Sequence, residues 1–96
     1  MVMQDLKLLV VGIGSIGRRH SDVLYTNVGC RNITIWDTQT ERAEEHASKY
    51  PGMKVVETFE EGLAQKPDVV FLCSPPALHM KQAKAAILAG CHVMIE

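Results

Sequence analysis

Short apolar runs alternate with segments of helical period along the whole chain, and this alternation restricts the fold more than any other feature. Leu6-Lys7-Leu8-Leu9-Val10-Val11 reads as a buried strand, and Ser15 to Val28 reads as a helix that Gly29 stops. Asn32 to Trp36 is a second strand, rich in β-branched residues. Lys54-Val55-Val56 is a short third, Val69 to Cys73 a fourth, and His92 to Ile95 a fifth. Helical segments begin after Thr38, after Thr58 and at Ser74-Pro75-Pro76, and Pro51-Gly52 and Gly90 close two of them. Strand and helix in strict turn imply an α/β fold, a doubly wound parallel sheet covered on both faces. The expected strand order is 3-2-1-4-5. Where that order reverses, a crevice opens beyond the carboxyl ends of the first and fourth strands.

The same periods assign inner faces. In the first helix Ile16, His20, Val23, Leu24 and Asn27 fall on one stripe, so His20 reads as a packing residue and Arg18 and Arg19 as exposed charges. Thr38-x-x-Glu41 and Thr58-x-x-Glu61 have the spacing of capping boxes. Ala43, Ala47 and Tyr50 line the second long helix. Met80, Ala83 and Ile87 line the last, with Lys81 and Lys84 toward water.

Two segments border the crevice, Gly12 to Gly17 and Cys73 to His79. The first reads Gly12-Ile13-Gly14-Ser15-Ile16-Gly17, a G-x-G-x-x-G pattern that leaves a strand, opens a helix and is followed by Asp37 twenty residues after Gly17. Gly12 permits the tight turn, Gly14 lets backbone approach a diphosphate, and Gly17 lets the helix pack on the strand. The helix start at Ser15 and Ile16 offers free amides and a positive dipole end to phosphates. Asp37, ending the second strand, is placed to accept bonds from adenosine ribose hydroxyls and to repel a 2′-phosphate. NAD is therefore expected over NADP, with nearby Arg42 tempering that preference. Ser74 reads as a helix cap or a cofactor contact, compatible roles, and His79 by spacing alone as structural.

Composition excludes other classes. The chain has 96 residues, enough for one domain, with a net charge of −1 and scattered lysines and arginines, so no basic face for nucleic acid forms. Its apolar runs are of strand length, far below the ~20 residues of a membrane span. The N-terminal segment has no basic region or cleavage site of a secretory signal, so a cytoplasmic location is expected. Cys30, Cys73 and Cys91 lie far apart and the four histidines lack ligand spacing, so free thiols and no metal are expected.

Taken together, Gly12 to His20, Trp36-Asp37, Val70 to Pro76 with His79, and Ala89 to Glu96 resemble the Gfo/Idh/MocA oxidoreductases over essentially the whole chain. The resemblance implies a Rossmann NAD(P)-binding domain over 1–96, part of a two-domain sugar, polyol or nucleotide-sugar dehydrogenase. It implies a diphosphate loop at Gly12, Gly14 and Gly17, and Asp37 as the ribose acid of NAD-preferring members. It places Cys73, Ser74, Pro75 and His79 along the cofactor toward the nicotinamide. Glu96 matches the first residue of the family's Glu-Lys-Pro motif, at the nicotinamide ribose. The catalytic lysine, the last strand of the sheet and the C-terminal domain that shapes the substrate pocket and supports oligomers lie outside this sequence. No catalytic residue is assigned here. A non-catalytic dinucleotide-binding sensor or interaction module is the alternative, and S-adenosylmethionine or FAD are alternative ligands that the resemblance disfavours.

Overall fold

The computed structural model describes residues 3–96. A short 3-10 turn, Met3–Asp5, precedes strand β1, Leu8–Val11. The remaining strands are β2, Ile33–Trp36; β3, Lys54–Val55; β4, Val69–Leu72; and β5, His92–Ile95. The helices are α1, Ser15–Val23, continued by a π-helical turn Leu24–Val28; α2, Thr40–Ala47; α3, Phe59–Ala64; and α4, Pro76–Leu88. All pairings are parallel and the order is β3-β2-β1-β4-β5, as the alternation predicts.

β1 runs through the middle of the sheet, with Leu8, Leu9, Val10 and Val11 all buried. Its alternate residues feed two cores. Leu8 and Val10 join Ile33 and Ile35 beneath Leu24 of the π-helical turn and Ala43 and Ala47 of α2. Leu9 and Val11 join Val70 and Leu72 beneath Phe59 of α3 and Ala83 and Ala86 of α4. At Thr58 half of the expected capping box forms: its hydroxyl accepts the Glu61 amide at 3.0 Å, while Glu61 Oε2 accepts the Glu57 amide at 3.3 Å.

Several expected faces differ. α1 buries Gly17 and Ser21, and the turn after it buries Leu24 as expected, whereas Ile16, Val23 and Asn27 are exposed and His20 is partly exposed. The cause is close approach: a Cβ on Gly17 would lie 1.7 Å from the Gly12 carbonyl oxygen, so the small-residue stripe, not the apolar one, meets the sheet. In α4 the buried stripe is His79, Gln82, Ala83 and Ala86, while Met80 is 82% and Ile87 62% exposed. His79 and Gln82 turn inward because Ser74 satisfies both, and a buried polar group with its partner costs little. The Thr38 capping box does not form. Asp37 Oδ1 accepts the Gln39 amide at 2.8 Å, an Asx-turn that delays helix entry, so α2 starts at Thr40 without a side-chain cap. Among the described residues β5 pairs only with β4, and Met94 and Ile95 are exposed.

Candidate functional site

A cleft of about 440 Å³ opens at the carboxyl ends of β1, β2 and β4, where the strand order reverses. Its first lip carries Gly12, Gly14, Ser15 and Ile16; its second carries Cys73, Ser74, Pro75, Pro76 and Leu78. Trp36, Asp37, Thr38 and Arg42 close the end near β2.

The first lip is a turn between two backbones in contact. Gly12 takes φ +92°, and a Cβ there would sit 2.7 Å from the Ser74 amide nitrogen. Both its conformation and its surroundings therefore demand glycine. Gly17 packs on the Gly12 carbonyl from behind. Gly14 differs. Its φ of −77° and ψ of −164° suit any residue, and a Cβ would meet nothing within 4 Å. Neither its backbone nor its packing calls for a glycine there, and the open face of the turn leaves room for a group lying against the backbone. No side chain caps α1, so its first-turn amides remain available to such a group.

Asp37 is buried behind this turn. Oδ2 accepts the Ile13 amide at 2.6 Å, Oδ1 accepts the Gln39 amide, and Arg42 Nη2 donates to both oxygens at 3.0 Å. Burial pushes the carboxyl up, but the two amides and the guanidinium outweigh it and hold it below the usual carboxylate range. Asp37 thus fixes the glycine turn to the end of β2.

The second lip is braced within its own segment. The Ser74 hydroxyl donates to Gln82 Oε1 at 2.5 Å rather than capping α4, and His79 Nε2 donates to the Ser74 carbonyl at 2.5 Å. Burial, reinforced by Glu96, pushes the Cys73 thiol up to about 11, so it stays protonated near neutral pH. Behind the first lip, Ser21 Oγ lies 2.7 Å from His46 Nε2 and joins α1 to α2. Burial lowers the His46 pKa, with Lys49 and Arg18 adding to the effect.

Of the residues singled out in the sequence, Gly12, Gly14, Ser15, Ile16, Asp37, Cys73, Ser74 and Pro75 line one cleft. Three lie elsewhere. Gly17 is buried behind the turn, and His79 is buried beneath the second lip. Glu96 borders a neighbouring depression with Ile16, Arg19, His20 and Val23, and its Oε1 lies 2.9 Å from His20 Nε2. His20 is therefore a partner of Glu96, not a core residue. The sequence reading missed Trp36 and Thr38 as lining residues, and had Pro76 and Leu78 only as part of the bordering segment Cys73 to His79. The first two flank Asp37 and the last two open α4, so adjacency was the available signal. Among the described residues no three His, Cys, Asp or Glu side chains group as a metal site requires, and no helix is long and apolar enough to cross a membrane.

A parallel sheet of this order, with a glycine turn opening α1 and an acid ending β2, defines a Rossmann dinucleotide-binding domain. The chain belongs to the Gfo/Idh/MocA family: residues 6–96 match its oxidoreductase, NAD-binding Rossmann-fold model, and this is an NAD-binding domain. Inositol 2-dehydrogenase of Rhodococcus erythropolis is 37% identical over 95 residues, covering 97% of this chain and 28% of that protein. D-glucoside 3-dehydrogenase of Escherichia coli is 32% identical, covering 100% of this chain and 28% of that one. The structure is similar to myo-inositol dehydrogenase from Lactobacillus casei in complex with NAD(H) and myo-inositol (TM-score 0.84, 28% identity, 94% of this chain and 27% of that chain). The chain thus spans under a third of the length of these relatives.

Proposed function

We propose that this chain is the cofactor-holding domain of a two-domain dehydrogenase that exchanges hydride between NAD and a secondary alcohol of a sugar, polyol or nucleotide sugar. Gly14 carries this reading, because its missing side chain serves a ligand and not the fold. The amides at Gly14, Ser15 and Ile16 would hold the diphosphate and the Asp37 end the adenosine ribose. Cys73, Ser74 and Pro75 would flank the path toward the nicotinamide, and Glu96 its ribose. Gly17 and His79 support the two lips from behind.

The nicotinamide, when bound, supplies the hydride chemistry. The cleft supplies orientation and little else. Asp37 is occupied by two amides and a guanidinium, and Cys73 is protonated, so neither accepts the alcohol proton. We assign that base, and the substrate pocket, to sequence outside this chain. The inositol and glucoside dehydrogenases among its relatives support the alcohol class, and the short span relative to them supports a second domain. A cytoplasmic, homo-oligomeric parent protein completes the proposal.

Calorimetric titration with NAD tests the cleft. The unmutated chain binds, and Gly14→Ala weakens binding by about tenfold or more while changing stability by less than about 1 kcal/mol. Equal affinity in the two proteins removes the diphosphate from the glycine turn.

A further inference from the structure

Resting on the reading of the cleft as the NAD site, we propose that His46 is a positioning residue for the diphosphate: through Ser21 it holds the first turn of α1 at the angle from which its amides meet that group. The pair lies behind the cleft, and both members are buried, Ser21 at 0% and His46 at 5% exposure. The Ser21 hydroxyl has three neighbours: the Gly17 carbonyl oxygen at 2.9 Å, the Arg18 carbonyl oxygen at 3.1 Å and His46 Nε2 at 2.7 Å. Carbonyls only accept and a hydroxyl has one proton, so that proton serves the carbonyls and Nε2–H donates to Oγ. The bonds therefore run from α2 into α1, from His46 to Ser21 to Gly17.

Gly17 is where these bonds reach the site. The first bond along α1 runs from the Arg18 amide to the Gly14 carbonyl at 2.9 Å, so the amides of Ser15, Ile16 and Gly17 precede every bond within the helix. This is the turn that would face the diphosphate. α2 thus grips the glycine segment at both ends: Ile13 through Asp37, just ahead of its start, and Gly17 through His46, in its last turn. The His46 ring lies against that of Tyr50, 5.0 Å between centroids, and the Tyr50 hydroxyl donates to Asp22 Oδ1 of α1 at 2.7 Å. Packing alone does not call for polar partners here, since an alanine and a leucine would fill about the same space. A hydrogen bond adds what they lack, a fixed direction.

The test compares this chain with His46→Gln and with the double variant Ser21→Ala/His46→Leu. His46→Gln keeps a donor in the place of Nε2 and binds NAD within about threefold of the unmutated chain. In the double variant an apolar pair replaces the bonded one, so its melting temperature stays within about 4 °C of the unmutated chain while NAD binds about fivefold or more weakly. Adenosine, which has no phosphate, changes by less than about twofold. Without nucleotide, the amide resonances of Ser15, Ile16 and Gly17 move in the double variant and stay in place in His46→Gln. Unchanged NAD affinity in the double variant, a parallel loss of adenosine, amide resonances that do not move, or a His46→Gln chain as weak as the double variant each overturns the proposal. A double variant that melts far lower shows a pair kept for stability, and overturns it too. An unmutated chain that binds no NAD overturns the reading of the cleft, and this proposal with it, whereas NAD binding that the variants leave unaltered overturns this proposal alone.

Discussion

The two lips of the cleft are built on different principles. The first is held by contacts that cross the sheet: Asp37 reaches Ile13 twenty-four residues away, and α1 touches β1 through the bare backbone of Gly12 and Gly17. The second is held locally, by Ser74 against His79 and Gln82 within the next two turns. Backbone-to-backbone contact leaves no room for substitution, whereas side-chain contact can be rebuilt by changing both partners. The lips therefore respond to mutation on different scales.

Gly17→Ala breaks the contrast most severely. Its Cβ would stand 1.7 Å from the Gly12 carbonyl oxygen, and neither backbone can withdraw without moving β1 or α1. A loss of about 4 kcal/mol or more is expected, enough to unfold a domain of this size. Urea denaturation measures it, and a loss no larger than that of Gly14→Ala removes the distinction between structural and ligand-facing glycines.

Asp37→Ala ranks next. It strands the Ile13 and Gln39 amides and a half-exposed guanidinium, a cost of about 2–3 kcal/mol after allowance for solvent at Arg42. The pH dependence has a definite sign. The folded chain holds this carboxyl below its unfolded value, so its contribution is complete above about pH 4 and is lost as pH falls through the folded value. The stability gap between the unmutated chain and Asp37→Ala should narrow below about pH 4. A gap constant from neutral pH to pH 2 would mean that the carboxylate charge contributes nothing.

Gly17 was legible as a packing glycine, and Asp37 as an acid ending β2 though not as the brace of the glycine turn, and for a physical reason. Glycine and a buried acid are demanded by geometry that recurs wherever a strand, a tight turn and a helix start come together, so residue type and spacing carry the information. The strand order was legible because apolar runs of strand length alternate with helices. The face of α2 was legible too, Ala43 and Ala47 being buried as expected, but those of α1 and α4 were not. Ile16, Val23, Met80 and Ile87 satisfy a helical stripe, yet the buried stripes are Gly17-Ser21-Leu24 and His79-Gln82-Ala83-Ala86. Periodicity scores hydrophobicity, whereas here closeness of approach and polar pairing chose the face. Glu96 was legible as a type but not as a position, because its place beside His20 depends on how β5 lies against α1.

Ser74→Ala gives the smallest effect and separates the two lips most sharply. Its hydroxyl is the donor to Gln82 Oε1, and both groups are buried. Removing the hydroxyl leaves that oxygen without a partner and costs about 1–2 kcal/mol. NAD affinity should fall by less than about threefold, because the hydroxyl is engaged beneath the lip rather than at its surface. Adding Gln82→Met to Ser74→Ala removes the stranded oxygen as well and should recover about half or more of the loss, since an apolar pair of similar shape replaces a hydrogen-bonded one. No such rescue exists for Asp37, whose amide partners belong to the backbone and survive every substitution. A double variant whose loss equals the sum of the single losses would show that the second lip is as unforgiving as the first.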